Sequence, residues 1–432
     1  MRMVALVGLI GGGACLRAAA DDAPPNVVFL SVDTLRADRL GCYGYPLDAT
    51  PHLDDLAERS LVFEDCLTEI PLTGPSFGAM LSSRFPRETG TTRNGLPMPE
   101  DTPLATEAFQ AAGYETFCVQ SNWTLRASVA QLDRGFDVYD DKLRSFRWLF
   151  LVSERYAAGV TDAALKLLKK RDATRPFFAW IHYSDPHAPY RFHRRFNPDG
   201  RKLRKLDEVA ETRARYDSEV AYTDHHIGRL LEALPKEKTF IVFVADHGES
   251  LHEHEYVGHG RRGYQTTMRV PLMISGPGVA PGRTDLPARG IDIGPTLLSV
   301  AGLEPFAGML GIDLLDPDAA GDRVRVFETY GGAVPRIPGV RQLLTQLPPV
   351  RQGVVEGTWK LIVGGPEAEL FDLEADPGEE RNLAETDPGR VEALQKRIDM
   401  WEELFPRRSR DEEQFEDLRR HDLEVLESQG YL

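Results

Sequence analysis

The chain has 432 residues, of which 42% are hydrophobic and 27% charged, and its formal net charge is −16. This is the composition of a globular protein with a large core and one or two domains. Because no basic excess is available to neutralise phosphates, we expect no nucleic-acid partner. Four cysteines in this length are too few for a disulfide scaffold.

Residues 1–20 show the features of an export signal in the usual order. Arg2 gives a positive start, Val4 to Leu16 a short apolar stretch, and Ala18 to Ala20 a small-residue cleavage site. We therefore predict a signal peptide and an exported protein, periplasmic or secreted, with no integral membrane segment after signal removal. A lipid anchor on Cys15 is the alternative for this end of the chain.

Strand and helix patterns alternate through the first 300 residues, which predicts an α/β protein with a mostly parallel sheet sandwiched by helices. The predicted division is a signal peptide at 1–20, a catalytic domain at 26–319, and a C-terminal α+β subdomain at 320–432 with a small antiparallel sheet and a charged helical tail. The predicted helices are 104–112, 160–170, 211–234, 295–301 and 390–405; the predicted strands are 115–119, 177–183, 240–245, 270–275, 324–327, 353–355, 359–363 and 369–373.

Two apolar strand patterns that are far apart in sequence both end in an acid. The first is followed by Asp33, and the second by Asp246 and His247. In an open α/β sheet, functional groups gather at the carboxyl ends of the strands. If the two strands are neighbours, these side chains converge, and two carboxylates with one imidazole suit a divalent cation such as Ca, Mn or Zn. The alternative is a pair of ordinary turns that close the strands.

Thr73 lies in a turn-rich segment that leads into a predicted helix starting near Pro75. The amino end of a helix offers free amide donors and a positive dipole end, which lower the cost of an alkoxide and favour an anion. Thr73 is therefore a candidate nucleophile. Its alternative role is to cap the helix.

Several further segments resemble sequence blocks of the sulfatases, in the order of that family. They span residues 26–385. The blocks are Asp33 to Gly44, Thr73 to Ser76 with Met80 to Pro86, Asp185 to Tyr190, Ala245 to Glu249, Gly258 to Gly260, Arg269 to Ile274, Asp292 to Leu298, and Glu369 to Gly378 with Asn382 and Leu383.

The resemblance implies an alkaline-phosphatase-like fold, a hydrolase of sulfate esters, and one divalent metal ion, calcium by family with Mn or Zn as alternatives. It implies a small anionic ester or a sulfated glycan as the substrate. The metal would be held by Asp33, Asp246, His247 and Thr73. His187 and His259 would act on the transferred group or the leaving oxygen, with the leaving-group role falling to His259. Arg36 would support the site from behind the ligands.

The sequence also departs from the sulfatase pattern at positions that carry the chemistry. Sulfatases have Cys or Ser where this chain has Thr73, and convert it to formylglycine, a conversion not expected for Thr. Phe77 replaces the usual Arg and Thr34 replaces the second acid, whereas His247 stands after Asp246 where the family has Asn or His. Wider relatives that cleave phosphodiesters or transfer phosphoryl groups do use Thr as the nucleophile.

Three interpretations stay open at this point. The chain is a sulfate-ester hydrolase, a phosphodiesterase or phosphoryl transferase with a Thr nucleophile, or a non-catalytic binding protein on the same fold.

A basic segment lies between the predicted strand 177–183 and the predicted helix 211–234: His193 to Lys205 contains seven His, Arg or Lys residues. This stretch either guides an anionic substrate to the site or is a solvated surface.

Overall fold

A computed structural model of the protein describes residues 24–143, 145–147, 152–319, 323–331 and 349–408. The predicted signal peptide with Cys15, and the predicted tail from residue 409 onward, lie outside the described residues. Within the described part, no helix has the length and apolar character needed to cross a membrane.

The strands and helices follow the alternation that the sequence predicts. The strands are β1 Asn26–Val32, β2 Leu61–Leu67, β3 Glu115–Val119, β4 Val138–Asp140, β5 Ser145–Arg147, β6 Val152–Glu154, β7 Phe177–Tyr183, β8 Thr239–Ala245, β9 Ser250–Leu251, β10 Val257–Gly258, β11 Arg269–Ser275, β12 Gly282–Thr284, β13 Ala288–Arg289, β14 Arg325–Thr329, β15 Arg351–Glu356, β16 Trp359–Val363 and β17 Glu369–Asp372. The α-helices are α1 Pro51–Ala57, α2 Thr73–Ser82, α3 Pro86–Thr89, α4 Ala105–Ala111, α5 Ala127–Ala130, α6 Ala157–Lys170, α7 Glu208–Ala233, α8 Gln265–Met268, α9 Ile293–Val300 and α10 Pro388–Leu404.

The central sheet has the strand order β12-β2-β11-β8-β1-β7-β3-β4, and β13 also pairs with β2. Its middle strands β1, β7 and β8 run parallel, and β11 is antiparallel to both of its neighbours. β7 and β8 are buried along their whole length, which explains their uninterrupted apolar sequences. Helices flank the sheet, with α1, α6 and α7 in one group and α2, α4 and α9 in another. The predicted α/β fold class is confirmed.

The C-terminal part forms a separate four-stranded antiparallel sheet in the order β14-β15-β16-β17. Helix α10 packs on it through Leu394, Ile398 and Trp401, which meet Val354 and Leu361 of the sheet. This is the small antiparallel sheet with a helix that the sequence predicts. The exact division at residues 319 and 320 stays a prediction.

Candidate active site

The register of the central strands brings the predicted acids to one edge of the sheet. Val32 of β1 pairs with Tyr183 of β7 on one side and with Ala245 of β8 on the other. The three strands therefore end level, and Asp33 and Asp246 follow β1 and β8 at the same height. Both side chains are fully buried. The condition that the sequence left open, that the two strands are neighbours, is met.

Asp33, Asp246 and His247 form a cluster whose candidate ligand atoms all lie within 4.8 Å of one another. His247 Nε2 is 3.4 Å from Asp246 Oδ2 and 3.8 Å from Asp33 Oδ1. The other ring nitrogen, Nδ1, is 2.9 Å from the carbonyl oxygen of Gly248. Because a carbonyl can only accept, Nδ1 carries the hydrogen and Nε2 has its lone pair free toward the two carboxylates.

The donor set fits a divalent cation. Asp33 Oδ1 and Asp246 Oδ2 are buried without a hydrogen-bond partner. Burial raises the pKa of Asp246 to about 7, and burial together with the neighbouring Asp246 raises the pKa of Asp33. Two buried, closely spaced carboxylates with unpaired oxygens are costly unless a positive charge lies between them. Two carboxylate oxygens and one imidazole nitrogen are suitable ligands for such an ion.

Backbone and amide donors hold the two acids in place. Asp246 Oδ1 accepts from the backbone N–H groups of Thr34, at 3.1 Å, and His247, at 2.9 Å. Asn122 Nδ2 donates to Asp33 Oδ2. Asn122 was missed from the sequence, although it lies three residues beyond the end of β3. The rule that located Asp33 and Asp246 would have found it if applied to this strand as well.

Thr73 lies at the first position of α2, beside the cluster. Its Oγ1 is 3.4 Å from His247 Nε2. The helix starts at Thr73 rather than near Pro75, and Leu72 precedes it as the capping residue. The alternative role of Thr73 as a helix cap is therefore wrong. The hydroxyl lies instead at the amino end of the helix, next to the candidate metal ligands.

Two contacts fix the start of α2 relative to the sheet. Ser76 Oγ donates to the carbonyl oxygen of Asp246 at 2.8 Å. The backbone N–H of Gly74 donates to Asn94 Oδ1 at 2.9 Å. The position of Thr73 thus depends on a hydroxyl and an amide that the sequence analysis did not single out.

His187 and His259 join the cluster from two other loops. The His259 ring centroid is 4.4 Å from that of His247 and 5.2 Å from that of His187. His259 Nδ1 is 3.0 Å from Glu249 Oε1, and His187 Nδ1 is 2.6 Å from the carbonyl oxygen of Ala188. Burial lowers the pKa of both imidazoles, to about 3 for His187. Glu249, which the sequence analysis quoted without a role, orients His259.

Arg36 lies outside this cluster. Its guanidinium donates to Asp38, to Glu253 Oε1 at 2.9 Å and to the carbonyl oxygen of Glu249 at 3.1 Å. The side chain is thus bound by carboxylates, and its hydrogen bond to the backbone of Glu249 links it to the site. A supporting role of this kind stays a prediction.

Phe77 lies inside the core, one turn beyond Thr73. Its ring contacts Trp180 and His182, with centroids 4.9 Å apart in both cases. His182 Nδ1 is 3.0 Å from Ser31 Oγ, and burial lowers the pKa of this imidazole to about 3. Phe77 is therefore a core residue that packs against a neutral imidazole.

A family model described as Sulfatase matches residues 25–303 of the chain. The chain belongs to the sulfatase family. An ulvan-active sulfatase of Formosa agariphila is 27% identical over 406 residues, which cover 83% of this chain and 77% of the relative. As a member of this family, the chain is a hydrolase.

Solved structures share the fold of this sulfatase-family chain. One, in complex with its substrate D-glucosamine-2-N,6-O-disulfate, has a TM-score of 0.71 at 20% identity and covers 88% of this chain and 98% of its own. A phosphonate monoester hydrolase from Silicibacter pomeroyi has a TM-score of 0.67 at 21% identity and covers 88% and 96%. At these identities the likeness shows the fold alone.

Proposed function

We propose that this chain is a metal-dependent hydrolase of sulfate or phosphate esters in which Thr73 is the nucleophile. The observation that carries the proposal is the position of Thr73 Oγ1, 3.4 Å from the free Nε2 of His247. The same nitrogen faces the unpaired oxygens of Asp33 and Asp246. A hydroxyl that shares its surroundings with three candidate metal ligands is placed for activation.

Asp33, Asp246 and His247 would hold the cation, with Thr73 beside them. A divalent ion bound there lowers the pKa of an adjacent hydroxyl and offsets the charge of the transferred group. Calcium is the family's expected ion, with Mn and Zn as the other ions that these ligands suit. Among these residues, His247 is oriented by Gly248 and Asp33 by Asn122.

Thr73, having lost its proton to solvent, attacks the sulfur or phosphorus of the ester. The new Oγ–S or Oγ–P bond forms as the bond to the leaving oxygen breaks. The leaving oxygen takes a proton from the paired side chains of His259 and Glu249, and His187 lies on the same side for the transferred group. Water then attacks the sulfur or phosphorus of the Thr73 ester and loses a proton to that pair as the Oγ–S or Oγ–P bond breaks. Thr73 Oγ takes a proton back from solvent, and sulfate or phosphate is released.

The sulfate ester is supported by the relatives, since the ulvan-active enzyme is named a sulfatase. A phosphodiester or phosphate monoester is favoured by two features of this chain. Thr73 is not expected to form the formylglycine of sulfatases, and Phe77 puts an aromatic ring where they have an arginine. Hydrolysis of a phosphoester through Thr73 is therefore the second candidate function.

The test is the hydrolysis of 4-nitrophenyl sulfate, 4-nitrophenyl phosphate and bis(4-nitrophenyl) phosphate after chelation and addition of Ca, Mn or Zn. Turnover that requires a metal and is lost in Thr73→Ala, but kept in the matched control Thr174→Ala on an exposed loop, supports the proposal. The best substrate decides between the two candidate esters. Turnover that survives in Thr73→Ala would assign the nucleophile elsewhere. Absence of turnover of every ester by a metal-loaded protein would favour the binding-protein interpretation.

A further inference from the structure

Glu249 and His259 stand at the two open ends of a short hairpin. Strand β9 pairs antiparallel with β10, and Ser250 lies opposite Gly258. The same register, continued by one residue, places Glu249 opposite His259, and Glu249 Oε1 lies 3.0 Å from His259 Nδ1. The contact between these two side chains therefore depends on the hairpin keeping its register.

The tip of this hairpin is strained. His252, His254 and Glu255 all have left-handed backbone, with φ of +77°, +52° and +55°. Residues with a Cβ rarely adopt this conformation, because the Cβ comes too close to the following carbonyl oxygen. Each strand of the hairpin has only two residues, so the ladder offers few hydrogen bonds to offset this strain. Contacts from outside the hairpin must therefore hold the tip in place.

The carboxylate of Glu253 is the centre of these contacts. Its Oε2 accepts from the backbone N–H of Leu251 at 2.6 Å. Its Oε1 accepts from Arg36 Nη1 at 2.9 Å and lies 3.3 Å from Arg213 Nη2. The side chain is 19% exposed, so these charges are partly shielded from water. Hydrogen bonds between charged groups in such surroundings are stronger than those between neutral groups.

The same two arginines also bind the backbone of the hairpin. Arg36 Nη1 donates to the carbonyl oxygen of Glu249 at 3.1 Å, and Arg213 Nε donates to that of Leu251 at 3.4 Å. Arg36 follows β1, whereas Arg213 belongs to α7. Glu253 thus joins two guanidinium groups that come from different elements, and one of them contacts Glu249 directly.

The two histidines of the tip make contacts of another kind. His252 Nε2 is 3.2 Å from Thr212 Oγ1, and the His254 ring stacks on Tyr264 with centroids 3.7 Å apart. Neither contact involves Glu249 or its partner imidazole. These contacts therefore anchor the tip to α7 and to the start of α8 without orienting the pair.

We propose that Glu253 is a positioning residue, which holds Glu249 against His259 through the two arginines. This inference rests on the proposed function, in which the pair gives a proton to the leaving oxygen. Proton transfer needs the donor within hydrogen-bond distance of the acceptor, so a displaced pair transfers the proton poorly. The loss is greatest for a strongly basic leaving oxygen, because its departure depends most on the proton.

The test compares two leaving groups in Glu253→Gln and in Glu255→Gln. The second variant is the matched control, since it makes the same change in charge at an exposed position of the same tip. The value of kcat/KM is measured for the 4-nitrophenyl and phenyl esters of the group that the protein cleaves, sulfate or phosphate. Phenolate is the more basic of the two leaving groups.

In Glu253→Gln we expect kcat/KM for the phenyl ester to fall by about tenfold or more relative to that for the 4-nitrophenyl ester. The control should keep the ratio of the unmodified protein. A purely structural role would lower the amount of active protein and reduce both values equally. An unchanged ratio in Glu253→Gln, or the same change in Glu255→Gln, would therefore overturn the proposal.

A measurement without turnover separates this proposal from the proposed function. Backbone hydrogen exchange of the peptide 248–260 is followed by mass spectrometry in both variants. We expect exchange in Glu253→Gln to be faster by about tenfold or more than in Glu255→Gln, because the hairpin opens more often. Equal exchange in the two variants would overturn the proposal. If no ester is cleaved but the exchange differs as expected, the proposed function fails and the dependence of the hairpin on Glu253 stands.

Discussion

Asn122 holds one oxygen of Asp33 and leaves the other oxygen directed at His247. Groups that orient a metal ligand in this way typically contribute 10–100-fold to metal affinity, as an order of magnitude. We expect Asn122→Ala to weaken binding of Mn or Zn by about tenfold or more, measured by competition with a chelator. Gln395→Ala on α10, where the amide donates to Asp399, is the control. An unchanged affinity in Asn122→Ala would mean that Asp33 needs no such support.

Thr34 lies in the left-handed backbone region with φ of +55°, and its hydroxyl is buried without a hydrogen-bond partner. This conformation costs a β-branched residue on the order of 1–2 kcal/mol, and glycine adopts it freely. We therefore expect Thr34→Gly to raise the unfolding midpoint in urea, and Thr329→Gly, within β14, to lower it. A lower midpoint for Thr34→Gly would show that the threonine side chain stabilises the turn.

At the scale of single residues, the sequence predicts those side chains of the cluster that directly follow the end of a strand. Asp33, Asp246 and His247 follow from the rule that functional groups lie at the carboxyl ends of strands. The contact between Thr73 and His247 does not follow from this rule, because the position of Thr73 depends on the hydrogen bond from Ser76 to Asp246 that holds α2 against the sheet. Such a contact joins residues 174 positions apart, and no local pattern reports it.

At the scale of elements, the predicted start of α2 was two residues late. Proline is favoured in the first turn of a helix, so Pro75 suggested the beginning. In the structure Pro75 is the third helical residue. Any of the first positions tolerates proline, since the N–H groups there have no acceptor within the helix. Thr73 is therefore the first residue of the helix and not its capping residue.

Glu69, just beyond β2, gives the protein a predicted pH dependence. Burial raises its pKa from 4.5 to about 7. The folded state binds this proton more tightly than the unfolded chain, so the stabilisation is complete below about 4.5 and is lost as pH rises toward 7. A shift of this size corresponds to about 3 kcal/mol.

We accordingly expect Glu69→Gln to narrow the difference in unfolding free energy between pH 4.5 and pH 8 by about 3 kcal/mol. Urea denaturation at both values measures this difference. Glu403→Gln, on the exposed side of α10, should leave it unchanged. If Glu69→Gln behaved like this control, the buried carboxyl would have to be titrating near its ordinary value.

At the scale of the whole molecule, the C-terminal sheet reaches the loop that carries His259. Lys360 of β16 and Glu379 form a fully buried ion pair at 2.7 Å, and Glu379 Oε2 also accepts from the backbone N–H of Gln265 at 2.6 Å. Gln265 begins α8, six residues after His259. The second sheet thus braces a loop of the candidate active site.

Lys360→Ala leaves Glu379 buried without its partner, and losses of this kind cost about 3–5 kcal/mol. Arg397→Ala breaks an exposed pair with Glu356 on the same subdomain and should cost about 1 kcal/mol or less. Thermal unfolding in the presence of metal compares the two variants. Equal effects would show that the buried pair contributes no more than a surface pair.

The overall architecture could be predicted because alternating helix and strand patterns restrict a chain to a layered α/β fold. The antiparallel direction of β11 could not be predicted from the sequence. Its apolar sequence fits a strand buried on both faces, and that pattern is the same for parallel and antiparallel neighbours. Only the connections to β8 and β2 determine its orientation, and these are properties of the assembled sheet.

Peptide mass mapping of the protein, quenched during turnover of a metal-activated ester, tests directly whether Thr73 is the nucleophile. We expect the peptide containing Thr73 to gain the mass of one sulfuryl or phosphoryl group, at Thr73 itself. The adduct should be absent in Thr73→Ala and after chelation of the metal. An adduct on another residue, or rapid turnover with an unmodified Thr73 at every quench time, would contradict a Thr73 nucleophile.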